Sequence, residues 1–180
     1  IEKILNKYYM HKSNATPTHI VKDDSFGKFQ CPKNQYELDQ MKAVPYASVI
    51  GCLQYAQVCT CPDLAFITGV LGRYQENPGF ERWKMVKKAL RYVKGTKNYM
   101  LTYRRSDSLE IRGYSDADFA GDKDDRKSTS GYVFTLAGGA ISWRSSKQTI
   151  VASFTMYAEF IACYEATGKA LWLKKFIPDL

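Results

Sequence analysis

The spacing of apolar residues changes twice along the chain. Residues 1 to about 45 are polar and punctuated by Pro17, Gly27, Pro32 and Pro45, which predicts a short opening helix and then an extended arm. From Pro45 to Gly95 apolar positions recur every three to four residues, the helical period. Tyr46 to Val58 carries Val49, Ile50, Leu53 and Ala56 on one face. Asp63 to Tyr74 carries Leu64, Ile67, Val70, Leu71 and Tyr74 behind the start signal Pro62-Asp63. A third helix after Pro78-Gly79 turns Trp83, Val86, Leu90 and Val93 inward.

The period then shortens. Tyr99 to Tyr103 and Leu109 to Asp116 read as strands joined by the polar turn Ser106-Asp107-Ser108. Gly131 to Leu136 and Ala140 to Trp143 predict a hairpin around Gly138-Gly139. Thr155 to Ile177 returns to helical spacing, with Ala158, Ile161, Ala162, Ala166, Leu171 and Leu173 for an inner face. No internal repeat is present. The pattern predicts an α+β fold: a helical N-terminal half, three or four antiparallel strands, and one long C-terminal helix.

Composition narrows the class. The 180 residues are 45% hydrophobic, 14% aromatic and 24% charged, enough apolar material for a core. The longest unbroken apolar run is Phe160 to Tyr164, far too short to span a bilayer, so no membrane partner is expected. Five cysteines, an odd number, and no signal peptide argue against a disulfide framework and for a reducing, intracellular compartment, cytoplasmic or nuclear. The chain opens at Ile1 without a methionine and closes at Leu180 just after a helical pattern, so both termini read as cuts through a longer polypeptide.

Charge supplies the first functional hint. Of a net +8, the excess is concentrated between Arg82 and Arg105, where nine basic residues stand without one acid. Lys84, Lys87, Lys88, Arg91 and Lys94 fall at helical offsets on one face of the third helix, opposite its apolar residues. A solvated lysine face is the bland reading. The lack of any pairing acid favours a surface that tracks nucleic-acid phosphates without reading bases.

A second cluster is acidic. Asp116, Asp118, Asp122, Asp124 and Asp125 crowd the end of a predicted strand, where a divalent cation or the neighbouring Lys123, Arg126 and Lys127 could offset their repulsion. An EF-hand is excluded, because Ala120 and Lys127 stand where its loop needs oxygen ligands. Asp116 is backed by the strand Ile111 to Ser115, whereas the later acids lie in a loop. A rigidly held strand Asp is the better magnesium ligand for phosphoryl chemistry.

These residues resemble copia-type retrotransposon Pol polyproteins. The likeness runs through Gly113-Tyr114-Ser115-Asp116-Ala117-Asp118-Phe119-Ala120-Gly121-Asp122, Arg126-Lys127-Ser128-Thr129-Ser130-Gly131-Tyr132 and Gly139-Ala140-Ile141-Ser142-Trp143. Upstream, Tyr46-Ala47-Ser48, Pro62-Asp63-Leu64-Ala65-Phe66 and Arg91-Tyr92-Val93-Lys94-Gly95-Thr96 agree with it. The resemblance implies that 1–100 is a helical region like the reverse transcriptase thumb or connection. It implies that 101–180 is a truncated ribonuclease H-like domain, a partial antiparallel sheet with one long C-terminal helix. It further implies an Mg²⁺ site that cuts RNA in an RNA–DNA hybrid, with Asp116 the first catalytic and metal-binding acid and Glu159 the second. No position here matches the third and fourth. The expected partners are RNA–DNA hybrid and the remainder of the Pol polyprotein, with little nuclease activity in the isolated chain. The alternatives are a non-enzymatic nucleic-acid- or protein-binding module, since secreted oomycete effectors also carry copia-like segments, or a degenerate remnant.

Two departures from the family pattern stand out. Family members carry Ser-x-x-Glu, a capping box, ahead of the catalytic Glu, where this chain has Phe154 and Tyr157. Their Thr-Arg-Pro-Asp reads Thr60-Cys61-Pro62-Asp63 here. Cys59-x-Cys61 is too closely spaced for a zinc pair. Cys31, Cys52 and Cys163 read as small apolar fillers, His11 and His19 as surface histidines, and Trp83, Trp143 and Trp172 as core. Ser-His-Asp catalysis finds no support.

Overall fold

The computed structural model describes residues 1–20, 26–105 and 109–177; the expected Ser106-Asp107-Ser108 turn lies outside them. The chain divides into two compact units, Ile1–Met100 and Leu101–Leu180. The class is α+β, as the pattern predicts.

The first unit is helical: α1 (Glu2–Lys7), α2 (Gln35–Lys42), α3 (Tyr46–Cys59), α4 (Ala65–Gly72) and α5 (Phe80–Gly95), with short 3-10 turns at Lys28–Gln30 and Pro62–Leu64. Helix α2 falls where an extended arm was expected. Its start is a local device the apolar spacing does not reveal: the Asn34 side chain accepts from the Glu37 backbone N–H at 2.9 Å, while Glu37 accepts in return from the Lys33 N–H at 2.8 Å. The core is as predicted, with Val49, Ile50, Leu53, Ile67, Leu71, Val86, Leu90 and Val93 fully buried. Tyr46, at the foot of α3, is buried with them and donates its hydroxyl to the Leu71 carbonyl at 3.0 Å. Burial of that hydroxyl pushes its ionisation far above the ordinary tyrosine range.

The second unit is a three-stranded antiparallel sheet in the order β1 (Arg112–Asp118), β2 (Thr129–Leu136), β3 (Gly139–Lys147), with helix α6 (Thr155–Phe176) packed on it. The strand expected at Tyr99–Tyr103 does not form. Its end is fastened instead to the β2–β3 hairpin, by the Tyr103 hydroxyl to the Ala140 carbonyl at 2.7 Å and, one residue on, by the Arg104 N–H to the Ala137 carbonyl at 2.8 Å. The hairpin turns one residue earlier than expected, at Ala137-Gly138, both at positive φ (50° and 82°), the two-residue turn whose twist matches its strands. Gly139 then opens β3, and a Cβ there would sit 2.6 Å from the Tyr103 ring. Along α6 the small residues Ala158, Ala162 and Ala166 face inward, but Leu171 is exposed, against expectation, as are Met156, Phe160 and Tyr164.

Candidate functional site

Strand β1 and helix α6 meet through alanines. Ala117, Ala152, Ala158 and Ala162 form one buried cluster, and side chains this small let the helix lie close on the strand. Asp116 precedes Ala117 and Glu159 follows Ala158, so the two sequence-predicted acids flank neighbouring members of that cluster. Asp116 pairs with Gly131 across the sheet, is exposed, and accepts the Ala117 N–H at 3.0 Å. Glu159 is half-buried near the start of α6.

The start of α6 shows how the missing capping box is offset. Phe154 is the N-cap and supplies no side-chain cap; its ring lies 6.1 Å from that of Tyr157, and its carbonyl accepts the Tyr157 and Ala158 N–H groups at 3.1 and 3.3 Å. The tie comes from Gln148, which the sequence reading missed. Its buried amide nitrogen donates to the Ala158 carbonyl and to Ser130 Oγ, both at 2.9 Å, linking the helix to β2. Neither Asp116 nor Glu159 spends its carboxylate on a salt bridge among the described residues. Mg²⁺ is a hard ion that takes one or two carboxylates and completes its shell with water and substrate phosphate, so the chemistry of these two carboxylates suits it. Among the described residues no group of three or more His, Cys, Asp or Glu is placed to hold a metal.

Three of the remaining acids, Asp118, Asp122 and Asp125, have structural work. Asp118 accepts the Thr129 N–H and, with Ala120 N–H on Ser128 Oγ at 3.0 Å, closes the loop after β1. Asp122 is buried and accepts Lys147 Nζ at 2.9 Å; Asp125 takes the same ammonium at 2.7 Å. Thus Lys147, on β3, offsets the acids, where the adjacent Lys123, Arg126 and Lys127 were the expected partners. The Lys147 hydrogen bond holds the Asp125 carboxyl below its ordinary range. Burial opposes the charge on Lys147, but its bonds to Asp125 and Asp122 outweigh that and raise its pKa.

On α5 the basic residues share a helix but not one environment. Lys84 is exposed and pairs with Glu81 at 2.7 Å, and Lys87 lies 5.9 Å from the Trp83 ring. Toward the C-terminal end the N-terminal arm covers the face. Lys94 donates to the Ser13 carbonyl, the Thr16 N–H reaches the Arg91 carbonyl at 3.4 Å, and Thr16 Oγ1 reaches the Lys88 carbonyl at 3.5 Å. Arg82, counted with the basic run, is fully buried. It donates to the Gly27 carbonyl and to Cys31 Sγ at 3.1 Å and stacks 3.4 Å from the Tyr74 ring.

Other expectations are corrected. His19 is half-buried, 4.6 Å from the Tyr92 ring, and burial lowers its pKa. Cys31 accepts a hydrogen bond and Cys163 is exposed, so neither is an apolar filler; all five thiols are free. Trp172 is half exposed, stacked on Phe176 at 4.8 Å beneath Lys169, since its helix turns it outward.

No protein-family model and no solved structure matches the chain. Among known proteins it is 44% identical over its full length to the retrovirus-related Pol polyprotein from transposon TNT 1-94 of Nicotiana tabacum, of which it spans 14%. It is 34% identical over 135 residues to the corresponding polyprotein from transposon RE2 of Arabidopsis thaliana, 75% of this chain and 9% of that one. It is also 47% identical over 133 residues to secreted RxLR effector protein 161 of Plasmopara viticola, covering 74% of this chain and 94% of that protein. No helix among the described residues is long and apolar enough to cross a membrane. Similarity to such polyproteins, over the whole chain in one and three quarters of it in two others, places this chain in the copia-type, retrovirus-related Pol family of transposons.

Proposed function

We propose that the chain is the part of a copia-type Pol polyprotein where reverse transcriptase ends and ribonuclease H begins. In this reading Ile1–Met100 is the thumb or connection and Leu101–Leu180 opens the nuclease. The observation that carries it is the alanine-mediated seat of α6 on β1, which brings Ala117 and Ala158, the chain neighbours of Asp116 and Glu159, into one buried cluster. Asp116 and Glu159 offer two of the carboxylates for Mg²⁺. The ion, when bound, supplies an activated water and stabilises the leaving oxygen of the RNA phosphodiester. The chain's own work is to hold these oxygens on a paired strand and a tied helix. Lys84, Lys87, Lys88, Arg91 and Lys94 are proposed to attract the hybrid through its phosphates, with Lys84 and Lys87 the better presented.

The test is a labelled RNA–DNA hybrid with Mg²⁺ or Mn²⁺, read for binding and cleavage beside Asp116→Asn. With two of four expected acids, the isolated chain should bind the hybrid in a salt-sensitive manner and cut it little. Any cleavage should vanish in the variant. Cleavage that survives Asp116→Asn contradicts the site. The effector relative, matched over 94% of its length, favours a second reading, a non-enzymatic binding module. Absence of both hybrid binding and cleavage would select it.

A further inference from the structure

We propose a second nucleic-acid contact at the hairpin end of the sheet: a pocket of about 350 Å³ in which Arg104, Arg105 and Arg112 receive phosphodiester oxygens of the hybrid. It rests on the ribonuclease H reading and extends it, because this pocket lies on the nuclease-like unit and outside the basic helix. Its walls are Arg104, Arg105, Glu110, Arg112 and Thr135 with the Ala137-Gly138 turn. Among the described residues, the lining holds three arginines and one acid, and planar guanidinium forks match phosphate oxygens bidentately.

The arginines stand on a fixed frame. Arg104 is pinned by its N–H to the Ala137 carbonyl, and Tyr103 ahead of it is locked over Gly139. Arg112 begins β1 opposite Thr135. Glu110 engages Arg112 through a single oxygen, at 2.8 Å from Nη2 and 3.1 Å from Nε. Both partners are two-thirds exposed, so the pair contributes little and a phosphate can displace it.

Placement relative to Asp116 gives the pocket its role. Arg112, Tyr114 and Asp116 are alternate residues of the one strand β1. Four residues of strand separate Arg112 from Asp116 by about 13 Å. A strand of nucleic acid laid along β1 reaches both, with the exposed Tyr114 between them. The pocket therefore anchors the backbone a few nucleotides from the phosphate at Asp116.

The experiment uses the full chain carrying Asp116→Asn, so that the hybrid stays intact, and measures hybrid affinity across salt concentrations. Adding Arg104→Gln, Arg105→Gln and Arg112→Gln should make the log-affinity against log-salt slope shallower by about 2 to 3 and weaken low-salt binding at least about tenfold. Glu110→Gln, which deletes no packing, should tighten low-salt binding by freeing Arg112. A wild-type slope in the triple variant, or no gain from Glu110→Gln, overturns the pocket and leaves the nuclease reading standing. Absence of binding by the Asp116→Asn parent at every salt concentration overturns both.

Discussion

Loss of Lys147 should markedly destabilise the second unit. Its ammonium sits 2.9 Å from Asp122 and 2.7 Å from Asp125, and the Asp122 side chain is only 3% exposed. Lys147→Met takes the ammonium from that carboxylate, which keeps the Asp124 N–H at 2.9 Å among its neighbours. Breaking a fully buried pair costs about 3–5 kcal/mol. Here Lys147 is 30% and Asp125 38% exposed, so water relieves part of the loss and about 2 kcal/mol remains. For a unit of this size that lowers Tm by roughly 10 °C. The assay is urea and thermal unfolding of the full chain in a Trp83→Phe background, where fluorescence comes from Trp143 and Trp172, both in this unit. Asp122→Asn on top of Lys147→Met should recover part of the loss, a coupling of about 1 kcal/mol. The pH dependence has a defined sign. Asp125 has a lowered pKa, so its contribution is present above the unfolded value of about 4 and lost as pH falls through the folded one. Lys147 has a raised pKa, so its contribution is present below about 10.4 and lost as pH rises through its folded value. The stability gap between wild type and Lys147→Met should therefore be flat between about pH 5 and 9 and shrink on both sides. A gap below about 0.5 kcal/mol, or additive double-variant energies, would refute the reasoning.

Three further outcomes are expected. Arg82→Lys should destabilise the helical unit by about 2 kcal/mol in denaturant titrations, because a lysine cannot serve Gly27, Cys31 and the Tyr74 ring together, and it should leave the salt slope of hybrid binding unchanged. His19 has a pKa lowered by burial, so its contribution is full above about 6.5 and is lost as pH falls below it; amide protection factors in residues 13–20, corrected for the intrinsic exchange rate, should fall between pH 6.5 and 5 and lose that dependence in His19→Phe. Phe154→Ser with Tyr157→Glu restores a capping box to α6 and should stabilise the second unit by about 1 kcal/mol, since neither ring of the aromatic pair it removes is buried in the core.

Periodicity located the helices α3, α4 and α5 and their buried faces because each buries a continuous stripe against the others, and burial at a 3.6-residue period is what apolar spacing reports. It failed where polar bonds decide. Helix α2 is set by the reciprocal Asn34 and Glu37 bonds, and Tyr99–Tyr103 alternates like a strand yet lies in a segment tied to the hairpin by single bonds. Asp116 and Glu159 were legible as motif residues. Their setting was not, because Gln148 and Lys147 act across the fold on partners 10 to 25 residues away. A run of like charges is equally silent about tertiary contact, which is why Arg82 and Lys94 counted toward a surface that one leaves entirely and the other partly spends on the arm.

The most direct measurement of the account is Mn²⁺ titration of the labelled full chain, reading paramagnetic broadening of backbone amides in place of Mg²⁺ binding. Broadening should centre on residues flanking Asp116 and Glu159 together, and either Asp116→Asn or Glu159→Gln should weaken it at both. Broadening centred on Asp122 to Asp125, or at one of the two acids independently of the other, would contradict a shared metal seat on β1 and α6.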